Sequence, residues 1–138
     1  MYRLKLVTIL LVFTFTSFYW PGEFVSSDVT TASMPGQNLV CKTSGTARIC
    51  ASVSNSTPLQ YSYVTVYGRL TVNGVRKNGK TMITTWHYKT STPQCQGITA
   101  SNGLANCKRY ISGATKGYRV NIVVKINGYS VTTWFTPH

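Results

Sequence analysis

The sequence predicts an all-β domain, a sandwich of two antiparallel sheets with about seven strands. Three observations support this prediction. Thr, Val, Tyr, Ser and Gly are abundant and Glu, Ala and Leu are scarce outside the first 20 residues, which favours strands over helices. Short segments alternate apolar and polar residues with the period of a half-buried strand. Turn signals separate these segments at intervals of about ten residues, as in sandwiches, although a small closed barrel has the same pattern.

The start of the chain has the order of a secretory signal. Arg3 and Lys5 precede an uncharged apolar run at residues 6–20. The run is short for a membrane helix, which needs about 20 residues, but Trp20 at its end also fits an uncleaved anchor that tethers the chain to a membrane through residues 6–20. Both alternatives predict export, so we expect the protein in the extracellular space or the cell envelope.

Small residues after the apolar run indicate where a signal would be cleaved. Val25 and Ser27 occupy the minus-three and minus-one positions of the preferred site, and Thr30 and Ala32 form an alternative. A polar segment follows, and the remaining chain is long enough for one domain. The predicted organisation is a signal peptide or uncleaved anchor at 1–27, a linker at 28–37 and a β-sandwich domain at 38–138.

The first predicted element is a disulfide-bonded hairpin at residues 39–55. Gly45-Thr46 suits a two-residue turn, and pairing residue 44 with residue 47 places Cys41 opposite Cys50 at a non-hydrogen-bonded position. The backbones are close enough there for a disulfide. The even number of cysteines fits an oxidising compartment, and their spacing contains no CxxC pair, so we predict disulfides and no metal site.

Two strands follow, each with a clear core-facing side. Residues 63–72 and 81–89 alternate, and turn signals at Asn73-Gly74 and Asn78-Gly79 end the first and precede the second. The predicted core positions are the apolar or large residues at every second position: Val64, Val66, Leu70, Val72, Met82, Thr84, Trp86 and Tyr88. His87 points outward, alone, which predicts a surface residue rather than a catalytic base.

Residues 94–99 and 104–111 are predicted to form a second hairpin, with residues 100–103 as its turn. A strict Asn102-Gly103 turn would oppose Cys95 to Tyr110, so a Cys95–Cys107 bond requires a bulge in this hairpin. We expect that pairing, although four cysteines allow three connectivities.

The last predicted hairpin has the strongest pattern. Residues 118–126 form its first strand, and Asn127-Gly128 predicts a type I′ turn. This turn pairs positions 126, 124, 122 and 120 with positions 129, 131, 133 and 135, which builds an apolar face. Trp134 lies on the opposite, outer face of the last strand.

The charge distribution limits the classes of function that the protein can have. The only acidic residues are Glu23 and Asp28, so residues 36–138 contain no side-chain carboxylate. This excludes the paired carboxylates of glycosidases and the ligand sets of calcium sites, and we predict no enzymatic activity and no cofactor. The basic side chains must be solvated, repel one another, or meet anions on a partner.

Several segments resemble the bacterial immunoglobulin-like domains of the invasin and intimin type. They are residues 64–74 (VTVYGRLTVNG), 84–88 (TTWHY), 97–107 (GITASNGLANC), 117–128 (GYRVNIVVKING) and 132–137 (TTWFTP). The resemblance implies an immunoglobulin-like sandwich at the cell surface that acts as a spacer or adhesion unit. Those domains usually occur as tandem repeats without two disulfides, whereas this chain carries one copy, which favours binding or display over spacing.

We therefore predict a secreted or cell-surface binding or structural module whose partner is a surface protein or an anionic polymer. The alternative hypothesis is that the cationic surface is itself the function and binds nucleic acid or an anionic cell-envelope polymer. Interleaved aromatic and basic side chains suit a polyanion groove, but they also occur on a solvated sheet face. The candidate binding residues are Tyr67, Arg69, Arg76, Lys77, Lys80, Arg119, Lys125 and Trp134.

Overall fold

The computed structural model describes residues 33–138, and within them every regular element is a β-strand. The nine strands are β1 Gln37–Ser44, β2 Ala47–Val53, β3 Tyr63–Val72, β4 Val75–Arg76, β5 Thr81–His87, β6 Gln94–Ile98, β7 Leu104–Tyr110, β8 Val120–Ile126 and β9 Tyr129–Phe135. About seven were expected, and the strand without a counterpart among the predicted segments is the short β4.

All ladders are antiparallel and form two sheets. In sheet 1 the order is β1-β2-β3, with β7 and the short β4 both paired to the far side of β3. In sheet 2 the order is β6-β5-β8-β9. Without β1 and β4, the strands follow an immunoglobulin-like order, with β2, β3 and β7 as A, B and E and with β5, β8 and β9 as C, F and G, while β6 takes the C′ place beside β5. The all-β, two-sheet prediction is confirmed.

The hairpins predicted from turn chemistry have the predicted registers. Ser44 pairs with Ala47, and Cys41 faces Cys50, with their Cα atoms 4.0 Å apart and their sulfur atoms bonded. In the last hairpin the turn residues Asn127 and Gly128 have φ angles of 49° and 86°, as a type I′ turn requires. The pairing runs from Ile126–Tyr129 to Val120–Phe135 as predicted.

The core lies between the two sheets and consists of the alternating side chains. Predicted core residues of β3 and β5 are fully buried, including Val64, Leu70, Met82 and Trp86. Trp86 contacts two rings: Tyr88 at 6.4 Å between centroids and Phe135 at 5.9 Å. β5 ends at His87, earlier than expected, because the Tyr88 N–H donates to the Ser91 carbonyl in a tight turn.

The predicted hairpin of residues 94–99 and 104–111 is wrong. β6 pairs with β5 in sheet 2, and β7 pairs with β3 in sheet 1, so the two strands lie in different sheets. The Cys95–Cys107 disulfide does form, but it joins the sheets across one edge of the sandwich and needs no bulge. The alternation of 104–111 is identical whether the strand pairs with β6 or with β3, which is why the sequence pattern did not separate the two arrangements.

The opposite edge of the sandwich is held by hydrogen bonds. β1 contains a register shift between Gln37 and Val40, where Asn38 has a φ of 50°. The Asn38 amide donates to the Trp134 carbonyl at 2.7 Å, and the Thr133 hydroxyl donates to the Asn38 carbonyl at 2.8 Å. Each edge thus has its own link between the sheets, and within the described residues no continuous ladder closes a barrel.

The approach of β6 to β7 requires a residue without a side chain. A Cβ atom on Gly97 would overlap the backbone carbonyl of Asn106 on β7. We expect Gly97→Ala to lower the free energy of unfolding by about 1–3 kcal/mol, because backbone cannot move aside as a flexible side chain does. Urea denaturation monitored by circular dichroism measures this change.

The control for this substitution is the adjacent position on the same strand. Gln96 is exposed on the outer face of β6, so Gln96→Ala should change stability by less than about 0.5 kcal/mol. Equal midpoints for Gly97→Ala and the unmodified protein would contradict the close approach of the sheets.

The predicted signal peptide or anchor at 1–27 and most of the linker at 28–37 lie outside the described residues. β1 begins at Gln37, inside the predicted linker, and the Ser52 hydroxyl donates to the carbonyl of Pro35 at 2.5 Å. Residues 35–37 therefore contact the domain. Within residues 33–138, no helix has the length and hydropathy needed to cross a membrane.

Candidate functional site

Six of the eight predicted binding residues lie on two opposite outer faces. Tyr67 and Arg69 are on the outer face of sheet 1, and Arg76 on the short β4 pairs beside them. Trp134 and Lys125 are on the outer face of sheet 2. Since the core separates the sheets, these groups cannot contact one extended ligand on a single face. The prediction of one shared set thus divides into two.

Sheet 1 collects the larger group. We call its outer surface the tyrosine–cation face, and it consists of Arg48 on β2, Tyr63, Tyr67 and Arg69 on β3, Arg76 on β4, and Lys108 and Tyr110 on β7. These side chains alternate with the core residues of the same strands, so the pleat directs them outward. From residue 63 to residue 71 the face is about 26 Å long.

One end of this face is aromatic. Tyr63 pairs with Tyr110 across β3 and β7, and their ring centroids are 5.2 Å apart. Lys108 is on the same side, with its ammonium nitrogen 4.8 Å from the centroid of the Tyr63 ring. Tyr63 is 60% exposed and Tyr110 is 45% exposed, so both rings have open surface for a ligand. The cluster offers ring faces and a cation side by side.

The other end is basic. Thr71 pairs with Arg48 on one side and with Arg76 on the other, so a cation flanks β3 on each side. Arg69 lies two residues before Thr71 on β3 and is half-buried. Burial lowers the pKa of its guanidinium, and the charge of Arg76 lowers this pKa further. Like charges are therefore close together here, and residues 36–138 have no Asp or Glu to neutralise them. A bound anion would relieve this repulsion.

The outer face of sheet 2 carries a smaller cationic pair. The Arg119 guanidinium carbon lies 4.0 Å from the centroid of the Trp134 ring, a stacked cation–π contact. Trp134, the aromatic residue expected to be exposed, is half-buried beneath this arginine. Lys125 pairs with Ser130 and Ile83 elsewhere on the same face.

Lys77 and Lys80 occupy neither face. Both lie in the connection between β4 and β5, where the backbone is held to other strands. The Lys77 N–H donates to the Leu70 carbonyl, and the Lys80 N–H donates to the Thr99 hydroxyl. They lie in the loop that begins beside Arg76, at the basic end of sheet 1.

Lys108 and Arg48 belong to the face but were not among the predicted binding residues. Their alternation with buried neighbours is visible in the sequence, since Lys108 follows Cys107 and Arg48 precedes Ile49. The sequence pattern did not show that β7 pairs with β3, because it predicted that β7 pairs with β6 instead. The omission of Lys108 thus follows from the misassigned hairpin, whereas the omission of Arg48 on β2 does not.

His87 is exposed at the end of β5, opposite Asn121. Among residues 33–138, no three His, Cys, Asp or Glu side chains lie close enough together to hold a metal ion. The tyrosine–cation face offers aromatic rings, hydroxyls and cations, which can bind a ligand by stacking and by charge.

The two disulfides of the described domain are of the kind that persists in oxidising compartments. The resemblance to invasin- and intimin-type domains stays a prediction. The chain matches no protein-family model and no curated protein sequence.

Proposed function

We propose that this protein is an exported, non-catalytic binding module that holds an anionic polysaccharide of the cell surface or cell envelope on its tyrosine–cation face. The observation that carries this proposal is the composition of that face: four basic side chains and three tyrosines, in a domain without a single Asp or Glu. A linear polyanion supplies the charges that the domain itself does not contain.

The arrangement of the face suits a polymer better than a small ion. The aromatic end at Tyr63 and the basic end at Arg76 are joined by Tyr67 and Arg69, so rings and cations follow one another along β3. A chain of sugar rings with acidic substituents can place its rings on tyrosines and its charges on the cations. The two disulfides favour a polymer outside the cytoplasm over nucleic acid.

Binding to heparin, a soluble anionic polysaccharide, tests this function. We expect heparin to bind the full chain with a dissociation constant whose logarithm rises linearly with the logarithm of the salt concentration. Replacing Arg48, Arg76 and Lys108 together with glutamine should reduce that slope by about 2 to 3, since each lost ionic contact removes about one unit. Isothermal titration calorimetry at salt concentrations between about 50 and 300 mM measures this slope.

The control variant removes the same charge elsewhere. Lys42, Lys116 and Lys125 lie off the tyrosine–cation face and are exposed, so replacing all three with glutamine should leave the slope within about one unit of the unmodified protein. Equal losses in the two triple variants would mean that net charge alone attracts the polymer, and this would overturn the proposed site. Tighter binding of single-stranded DNA than of heparin would assign the face to nucleic acid instead.

A further inference from the structure

A cleft of about 390 Å³ opens at the end of the domain beside Tyr110. One wall is the β5–β6 connection, which contains Lys89, and the other is the segment after β7 together with Tyr61. Arg109 and Tyr88 also line it. The volume falls within the range of small-molecule sites. Because Tyr110 belongs to both, the cleft is continuous with the aromatic end of the tyrosine–cation face.

The cleft contains two cations and a buried hydroxyl. Arg109 uses one N–H in a long hydrogen bond, 3.4 Å, to the carbonyl of Gln94, and a guanidinium has five N–H donors. The hydroxyl of Tyr88 is buried next to Arg109, which can only donate to it, and within residues 33–138 its own O–H has no acceptor. A buried polar atom in this condition indicates a place for a ligand or a water molecule.

The protonation state of Tyr88 makes it a donor. Burial raises the pKa of its phenol above the ordinary value of 10.0, and the neighbouring Arg109 charge opposes this shift without overcoming it. The hydroxyl therefore keeps its proton at neutral pH. Together with Lys89 and Arg109, it forms a group of donors that matches the oxygens of a carboxylate or sulfate.

The wall of the cleft is held in a strained conformation. Tyr61 and Ser112 have φ angles of 58° and 47°, and they are the only described residues other than Asn and Gly in the left-handed region. The Tyr61 N–H donates to the Ser112 carbonyl at 2.7 Å, and the Gln60 amide donates to the Ala114 carbonyl at 2.7 Å. Such strain is found at ligand-binding sites, where a preformed wall reduces the entropy lost on binding.

We propose that this cleft binds one acidic sugar unit, with its carboxylate or sulfate group on Arg109, Lys89 and the Tyr88 hydroxyl and its ring against the exposed tyrosines Tyr61 and Tyr110. This inference rests on the proposed function in one respect: the unit is part of the polymer that continues onto the tyrosine–cation face. The donor set selects the acidic group, and the aromatic rings select a sugar over a bare ion.

Titration with single sugars tests the cleft separately from the face. Glucuronate and glucose 6-sulfate should bind the full chain and shift the NMR signals of the cleft tyrosines, whereas glucose should not. Lys89→Gln and Arg109→Gln should each weaken glucuronate binding by about tenfold or more, because each removes a charge-assisted hydrogen bond. Lys89 is exposed on a loop, so its variant reports on binding even if Arg109→Gln lowers stability.

The matched control is Lys108→Gln, which removes a cation from the face but not from the cleft. It should change glucuronate affinity by less than about twofold while weakening the binding of heparin. Unchanged glucuronate binding in Lys89→Gln and Arg109→Gln, or equal binding of glucose, would overturn the cleft while leaving the heparin result intact. Inorganic sulfate that binds as tightly as glucose 6-sulfate would overturn the sugar assignment. If the unmodified chain bound glucuronate but did not bind heparin, the result would instead contradict the proposed function.

Discussion

Replacing both Cys95 and Cys107 with alanine should lower the free energy of unfolding by about 3–5 kcal/mol, at the upper end of what a native disulfide contributes in a small domain. This bond is the covalent link between the two sheets, and Cys107 is 3% exposed within the core. Its loss therefore combines a less constrained unfolded chain with a poorly filled site between β6 and β7. Thermal unfolding should show a Tm at least about 12 °C lower.

The Cys41–Cys50 disulfide provides the control. The two bonds span separations of 9 and 12 residues, for which the chain-entropy model gives nearly equal contributions of about 2.7 and 2.9 kcal/mol. Cys41 is exposed on the edge strand β1, so the alanine pair at 41 and 50 creates no buried cavity. We expect the smaller loss there. Equal losses in the two double variants would contradict an added role for the inter-sheet bond in the folded state.

Trp86→Ala should cost about 3–5 kcal/mol of unfolding free energy, the range for removing a buried aromatic side chain. The indole is fully buried, contacts the rings of Tyr88 and Phe135, and donates from Nε1 to the Thr84 hydroxyl at 2.9 Å. That hydroxyl in turn donates to the Cys95 carbonyl at 3.0 Å. The substitution thus leaves a large cavity and breaks a chain of buried hydrogen bonds. Chemical denaturation monitored by far-ultraviolet circular dichroism measures the loss.

Trp134→Ala is the control for that measurement. Trp134 lies on the outer face of β9, where its main side-chain partner is the stacked Arg119, and such surface contacts contribute about 0.5–1 kcal/mol. A loss in Trp134→Ala as large as the loss in Trp86→Ala would mean that the inner and outer faces of sheet 2 are assigned the wrong way round.

The sequence predicted the parts of the fold that depend on neighbours along the chain. Alternation at Val64, Val66 and Leu70 identified the inner face of β3, and Asn127-Gly128 specified the register of the last hairpin. The same local logic found the Cys41–Cys50 bond. Each of these features depends on a turn of two residues or on the pleat of one strand, and both are encoded within a short window.

The sequence did not predict the hydrogen bonds that allow Thr84 to be buried in the core. Thr84 was expected to be buried from its position between Met82 and Trp86, and it is. Its hydroxyl is used because it accepts from the Trp86 indole and donates to a carbonyl on the neighbouring strand. The carbonyl partner is set by the pairing of β5 with β6, so an apparent exception in the apolar pattern becomes a satisfied polar group.

From its sequence alone, this protein was determined to be a cationic, disulfide-bonded β-sandwich whose described domain has no carboxylate side chain. Only the tertiary structure decided that β7 pairs with β3, which is how Lys108 and Tyr110 join Tyr63 and Arg69 on one face and how Arg109 comes to line a cleft with Tyr88. The physical reason is that an alternating strand presents the same pattern to any antiparallel partner. The choice among distant partners is made by how the whole core closes.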